Sequence, residues 1–366
     1  MIVPSRNIVV GRSDRHTARE VGGNSRFVRE LYKSLEGLGA EVRVMSPRIR
    51  TPWNAVNSSL YAAWEGALLP VLAARRGCDV LHYTSDTGPV SEIMSPLPVV
   101  VTVHGIASLT IPGVRSSRHE WLWRRRVESA LKVADRVATD STSSAQDISA
   151  LFDVPISDIH VIPPGIDVGF FRPAGVGEQG QAFATASRLG ISQPYVLFFG
   201  NVNDPKKNLL GAIEATRLAR SEISNLKVVV SGSPVWRGGW DGVNSDVAHY
   251  VGRLEDLQLR DLIWASEAVL VPSLYEGFGF PALEALACAS PVVSSSSGSM
   301  PEVVGSVALT PDPTDLHAIA AAIVEAVSDV SARARQRTLG PELARSFTWE
   351  NCASAYLGLF SSLTAD

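Results

Sequence analysis

The stretch Ser266–Val303 constrains the fold most, because it packs four element signals into one short run. Ala268–Val271 is apolar and reads as a buried strand. Pro272–Phe280 reads as a loop carrying Glu276, Gly277 and Gly279. Pro281 stands where a helix opens, a place that suits its fixed φ and missing N–H. Ala282–Cys288 are good helix formers, and Pro291–Ser294 is a second β run. Such a strand–loop–helix–strand unit leaves free N–H groups at the helix entrance, where an anion such as a pyrophosphate can sit. Two carboxylates bracket that entrance, Glu276 in the loop and Glu284 one turn into the helix. Carboxylates do not grip phosphate; their natural partners are hydroxyl groups. Anion-binding backbone beside two hydroxyl acceptors fits a sugar nucleotide, with phosphates in the middle and a sugar on either side.

The same alternation runs along the whole chain. Asn7–Gly11 reads as a strand, a polar loop leads to Gly22 and Gly23, and Phe27, Val28, Leu31, Leu35 and Leu38 recur at helical spacing. Glu41–Ser46 is the next strand, so the chain opens as βαβ, which favours a parallel sheet with right-handed crossovers. Val99–Val103 is an apolar β run ending in His104, a position at the carboxyl end of a strand where ligands collect. Phe170–Pro194, with Gly175, Gly177 and Gly180, has linker composition and marks a domain boundary. Tyr195–Gly200 starts the second half as a buried strand, followed by a loop with Lys206 and Lys207 at a helix start. Paired lysines there can neutralise a leaving diphosphate. Lys227–Ser231 and Tyr250–Leu254 are further strand signals.

GNVNDPKKNL at 200–209, EGFGFPALEALACASPVV at 276–293 and FTWENCASAYL at 347–357 carry a resemblance. With Glu276 and Glu284 spaced E-x7-E, the chain resembles the retaining glycosyltransferases of the GT-B fold, glycosyltransferase family 4, above all its bacterial mannosyltransferase-type members. The resemblance implies an α/β protein with two Rossmann-like domains of parallel sheet facing across a cleft. It divides the chain into an acceptor-side domain at 1–172, a linker at 173–194, a nucleotide-sugar domain at 195–345, and a helix at 346–366 that packs back on the first domain. It assigns Glu276, with backbone at Phe278, Gly279 and Phe280, to hexose hydroxyls, and Glu284 to the ribose diol. Lys207, helped by Lys206, would stabilise the leaving diphosphate, and His104 would contact the hexose from the first domain. Gly22 and Gly23 resemble the family's loop near donor phosphates and acceptor, Ser233 a phosphate or base contact, and Arg253 and Leu254 the base pocket. Three positions depart from the family pattern: Ser25 where a small Gly is common, Gly105 where Asp follows the His, and Asn201 where Arg is frequent.

The reaction implied is transfer of a hexosyl group with retention, from GDP-mannose first or a UDP- or dTDP-hexose next. The acceptor would be a hydroxyl of a glycan, a lipid-linked saccharide or a small natural product. No D-x-D triplet occurs in the chain, so no metal or other cofactor is expected. Two rivals remain at this stage. Gly277–Ala282 also reads as G-x-G-x-x-A after a strand, a dinucleotide oxidoreductase signal, but no acid closes the next strand. A nucleotide-sugar epimerase, hydrolase or binding-only relative would keep the fold.

Composition sets the outer limits. At 366 residues the chain suits about two domains. A net charge of −4 gives no general attraction to nucleic acid or anionic membrane. Cys78, Cys288 and Cys352 form no metal pattern and no even framework, which points to a reducing cytoplasm. No run of roughly 18 apolar residues offers a membrane span. Arg118–Arg126 mixes basic and aromatic residues. Such a segment suits peripheral contact with the inner membrane face or a phosphorylated acceptor, but a solvated helix with Trp121 or Trp123 in the core is the favoured reading.

Overall fold

The computed structural model describes residues 7–14, 22–47, 54–85, 88–89, 95–106, 117–232 and 245–364. The chain divides into two compact units, 1–165 with 348–366, and 166–347.

The first unit begins with β1 (Val9–Ser13), α1 (Gly23–Gly37), β2 (Glu41–Met45), α2 (Asn54–Ala67), α3 (Leu69–Arg75) and β3 (Val80–Tyr83). It continues through β4 (Val99–Val103), α4 (Ser117–Val133), β5 (Arg136–Thr139), α5 (Thr142–Phe152) and β6 (Ile159–Val161). All six strands are parallel, in the order β2-β1-β3-β4-β5-β6. β3 and β4 are buried along their whole length, and β4, Val-Val-Val-Thr-Val, is the continuous β-branched run expected of a strand covered on both faces.

The second unit holds α6 (Glu178–Arg188), β7 (Tyr195–Gly200), α7 (Leu209–Ala219), β8 (Lys227–Gly232), β9 (Ala248–Gly252) and α8 (Asp256–Ala265). Then follow β10 (Ala268–Leu270), α9 (Phe280–Ala287), β11 (Val292–Val293), α10 (Met300–Val304), α11 (Leu316–Ser328) and α12 (Val330–Ala344). Its five parallel strands run β11-β10-β7-β8-β9. The order reverses between β7 and β10. In open sheets of this kind ligands gather at that point, outside the carboxyl ends of the strands.

The stretch 173–194 is not a linker, and the first unit does not run to 172. Ile166 and Phe171 already sit in the core of the second unit with Trp264 and Leu283. Glycine marks the ends of α6: Gly177 precedes it at φ 84° and Gly190 follows it at φ 72°. Glu178 fixes the helix start. It takes two 2.7 Å bonds from the Arg172 guanidinium and one of 2.6 Å from Gly175 N–H. That pairing holds the Glu178 carboxyl well below the usual range, near 2. Ala182 and Ala186, one turn apart, are buried in the same core. The glycines hid a helix that composition alone reads as loop.

The last helix, α13 (Trp349–Ser361), belongs to the first unit and packs on α1. Thr348 caps it, accepting from Asn351 N–H at 3.1 Å. Trp349, Cys352, Tyr356 and Phe360 are buried along one face. Where the chain passes Gly165, a Cβ would lie 2.2 Å from Trp349 N, so only glycine fits that approach.

Candidate active site

Two loops leave the reversal point of the second sheet. One follows β7. Gly200, at φ 134°, ends the strand, and a short helical turn, Pro205–Lys207, carries the lysines. Asp204 caps this turn, accepting from Lys206 N–H at 3.1 Å. Asn208 then takes a left-handed conformation at φ 55°, which asparagine tolerates better than most residues. Its amide nitrogen donates to Pro272 O at 3.1 Å and Pro313 O at 2.8 Å. Lys207 is therefore pinned from behind by the next residue. Gly211 makes room for that amide, since a Cβ there would meet Asn208 Oδ1 at 2.4 Å.

The second loop follows β10 and carries Glu276. Lys207 Nζ donates to Glu276 Oε1 at 2.5 Å, and Ser273 Oγ donates to the same oxygen at 2.7 Å. Lysine and glutamate are partly buried, with side chains 19% and 11% exposed. Among the described residues both contacts fall on Oε1, so Oε2 is the oxygen left to accept further hydroxyls. The two loops also share a backbone bond, Leu274 N–H to Lys206 O at 2.7 Å. Two lysines were expected to act together here. Only Lys207 reaches Glu276; Lys206 lies 3.4 Å from Asp204 and is held in its own turn.

The Glu276 loop leans on the segment after β11. Gly298, at φ 59°, lies so close that a Cβ would meet Glu276 O at 2.8 Å. Ser299 Oγ lies 2.9 Å from Glu276 O and 3.0 Å from Phe278 O. Gly279, at φ 104°, precedes α9, and Pro281 occupies its first turn. A Cβ on Gly279 would meet Met300 Sδ at 2.6 Å. Phe278 is buried, stacked edge-on against Phe280 and Phe347. The N-terminal N–H groups of α9 thus face the loop that holds Glu276, an arrangement able to receive a diphosphate. Glu284, in α9, is buried at 4% exposure. Its charge lies near enough to Cys288 to help burial hold that thiol protonated.

The remaining candidates lie on other elements. Asn201 is exposed, and its Oδ1 accepts from Asn203 N–H at 3.3 Å, closing its own turn. Arg253, exposed, and Leu254, packed against the core, follow the glycine that ends β9. Ser233 lies outside the described residues. In the first unit Gly22 takes a positive φ of 118° before α1, a conformation that favours glycine, and Gly23 is the first residue of that helix.

His104 is held by partners within its own unit. Nδ1 lies 2.8 Å from Asp140 Oδ2, Nε2 lies 3.1 Å from Thr84 O, and the ring packs edge-on against Phe27 at 4.5 Å. Both ring nitrogens face protein oxygens. Asp140 supplies the carboxylate that Gly105 does not. Behind it runs a buried chain. Tyr32 Oη meets His82 Nδ1 at 2.8 Å, His82 Nε2 meets Thr102 Oγ1 at 2.8 Å, and Thr102 Oγ1 meets Tyr356 Oη at 2.9 Å.

Residues 21–170 match the model of Glycosyltransferase Family 4, and residues 193–329 match that of Glycosyl transferases group 1. O-antigen chain mannosyltransferase B of Escherichia coli is 30% identical over 273 residues, 72% of this chain and 70% of that protein. The chain belongs to glycosyltransferase family 4. It is a glycosyltransferase of GT-B fold, which sets aside the oxidoreductase reading of Gly277–Ala282. The MMP α-(1→4)-mannosyltransferase of Mycolicibacterium hassiacum is 29% identical, over 81% of this chain and 73% of that one. Anabaena HepE in complex with UDP-glucose shares the fold, with a TM-score of 0.73 and 17% identity over 98% of this chain and all of the other. Sequence reasoning on this family 4 glycosyltransferase missed Ser273, Gly298, Ser299 and Asp140. The last had a signal, an acid directly after the strand Arg136–Thr139. The polar run Ser294–Ser299 before Met300 was the signal for Gly298 and Ser299.

Proposed function

We propose that the protein is a retaining hexosyltransferase that takes its sugar from a nucleotide-sugar, GDP-mannose first and UDP- or dTDP-hexoses next. The acceptor is a hydroxyl of a glycan, a lipid-linked saccharide or a small natural product. One observation carries the reading: Lys207 and Glu276 meet in the loops beyond β7 and β10, where the sheet order reverses. A cation, a hydroxyl acceptor and a helix N-terminus at one such point suit a hexosyl diphosphate. The mannose preference rests on the names of two relatives, and the UDP alternative on the ligand of HepE.

In the proposed reaction Lys207 and the α9 N–H groups stabilise charge developing on the departing diphosphate. Glu276 holds hexose hydroxyls, Glu284 the ribose, and the backbone of Arg253 and Leu254 the base. The leaving phosphate accepts the acceptor's proton on the front face, so no protein nucleophile is used. The lysine takes the neutralising role that a D-x-D motif would give a metal, and transfer proceeds without one. His104, fixed by Asp140, orients the strand end of its own unit. Ser233 is a further proposed donor contact.

A thermal-shift panel of nucleoside diphosphates tests the donor, since a bound base stabilises the native state by mass action. GDP is expected to give the largest shift. Incubation with labelled nucleotide sugars then tests the reaction. A glycosylated acceptor with retained anomeric configuration, unaffected by chelator, is the expected product. Free sugar alone would make the protein a hydrolase, and an isomerised donor an epimerase.

A further inference from the structure

Among the described residues no helix is long and apolar enough to cross a membrane. One helix of the first unit nonetheless presents an unusual outer face. In α4 the inward residues are apolar: Val127, Ala130 and Leu131 are buried, and Trp123 packs against the same core. Trp121 does not join them. It is 58% exposed, and Leu122 beside it is 49% exposed. Of the two tryptophans weighed for the core from sequence, one is inside and the other stands in solvent.

The rest of that outer face is cationic. Arg124, Arg125, Arg126 and Lys132 are all exposed. The Arg125 guanidinium lies over the Trp121 ring at 5.4 Å. Glu128, an acid on this face, is bonded by Lys132 at 3.0 Å. A chain with net charge −4 thus concentrates positive charge on one helix and sets a bare indole and a leucine among it. Nucleic acid or an acidic peptide would use the arginines but gain little from Leu122. Anionic headgroups over an acyl boundary use both, because tryptophan rests at headgroup depth and long basic side chains reach the phosphates.

We propose that the outer face of α4 docks the protein on an anionic lipid surface. Trp121 and Leu122 enter the headgroup layer and Arg124, Arg125 and Arg126 contact lipid phosphates. This surface does not depend on the donor sugar, so the two readings stand or fall separately.

Sedimentation with vesicles tests it, using the full chain. Phosphatidylcholine vesicles containing phosphatidylglycerol should carry the protein down, and pure phosphatidylcholine vesicles should not. Reversing Arg124, Arg125 and Arg126 to Glu should lower partitioning at least about tenfold. Trp121→Ala with Leu122→Ala should lower it severalfold and leave the remainder sensitive to high salt. Unchanged thermal midpoints show that these surface variants are folded. Equal binding to both vesicle types, none to either, or full binding by the folded variants would each overturn the proposal. So would retention on heparin without vesicle binding, which would make the face a general site for acidic polymers.

Discussion

In the first unit the charged groups at the strand ends are turned upon each other: His104 spends one ring nitrogen on Asp140 and the other on Thr84 O. In the second unit Glu276 receives Lys207 and Ser273 on a single oxygen, and the pair keeps part of its surface. Both pairs stand at the carboxyl ends of parallel strands. The first is enclosed by Phe27 and backed by the buried chain that ends at Tyr356 on α13. The second is braced by Ser273 on the Glu276 carboxylate and by Asn208 and Ser299 on the loop backbones. The first pair ties two strand ends of its own unit together; the second is the pair we propose meets the donor, with Glu276 Oε2 left to accept its hydroxyls.

The largest expected effect tests that distinction directly. Lys207→Ala and Glu276→Ala should each cut transfer about a hundredfold or more, as loss of a group meeting transition-state charge does. Their thermal midpoints should stay close to wild type. The double variant should be little worse than either single one, because the two groups act as a unit. Rates of sugar transfer beside melting curves decide this; near-normal turnover in both single variants removes the site assignment.

Gly298→Ala should act next in size, and mainly on structure. The residue would have to hold φ 59° while its methyl meets Glu276 O at 2.8 Å, a strain of about 1–3 kcal/mol. A denaturant midpoint should fall accordingly, and the apparent affinity for donor should fall with it as the Glu276 loop is pushed away.

The enclosed side of the comparison answers to pH. Burial pushes the His82 imidazole down to about 3, with the charges of His104 and Arg12 adding to the effect. Unfolded, the same group titrates near about 6.5. Below that pH the unfolded chain binds a proton that the folded chain refuses, so stability falls as pH drops from about 6.5 toward 3. The slope is about 1.4 kcal/mol per pH unit from this group alone. His82→Gln should flatten that limb relative to wild type in melting curves taken across the window; parallel curves would mean the histidine is not held neutral.

How much of this was legible in the residues follows the same division. The second site was: Glu276, Gly279, Pro281 and Lys207 are local signals, each tied to a loop or helix start a few residues long. Their meeting is not local, since it needs β7 and β10 side by side, and only the parallel order supplies that. Asp140 and His104 are 36 positions apart, and nothing short of strand register joins them. The helix Glu178–Arg188 was hidden because Gly177 and Gly190 carry the same letters whether they end a helix or fill a linker. Trp121 and Trp123 were indistinguishable until the helix was placed, since two residues apart on a helix face different ways.

The smallest effect bears on how far the Lys207–Glu276 pair depends on its neighbour. Ser273 is buried, and its hydroxyl is the second donor to Glu276 Oε1. Ser273→Ala removes one hydrogen bond, worth about 1 kcal/mol, without opening a cavity of consequence. Lys207 still holds the carboxylate in place, so kcat/KM should fall only about fivefold, with the change in KM rather than kcat. A loss as large as that of Glu276→Ala would show that the serine, not the lysine, sets the carboxylate's position.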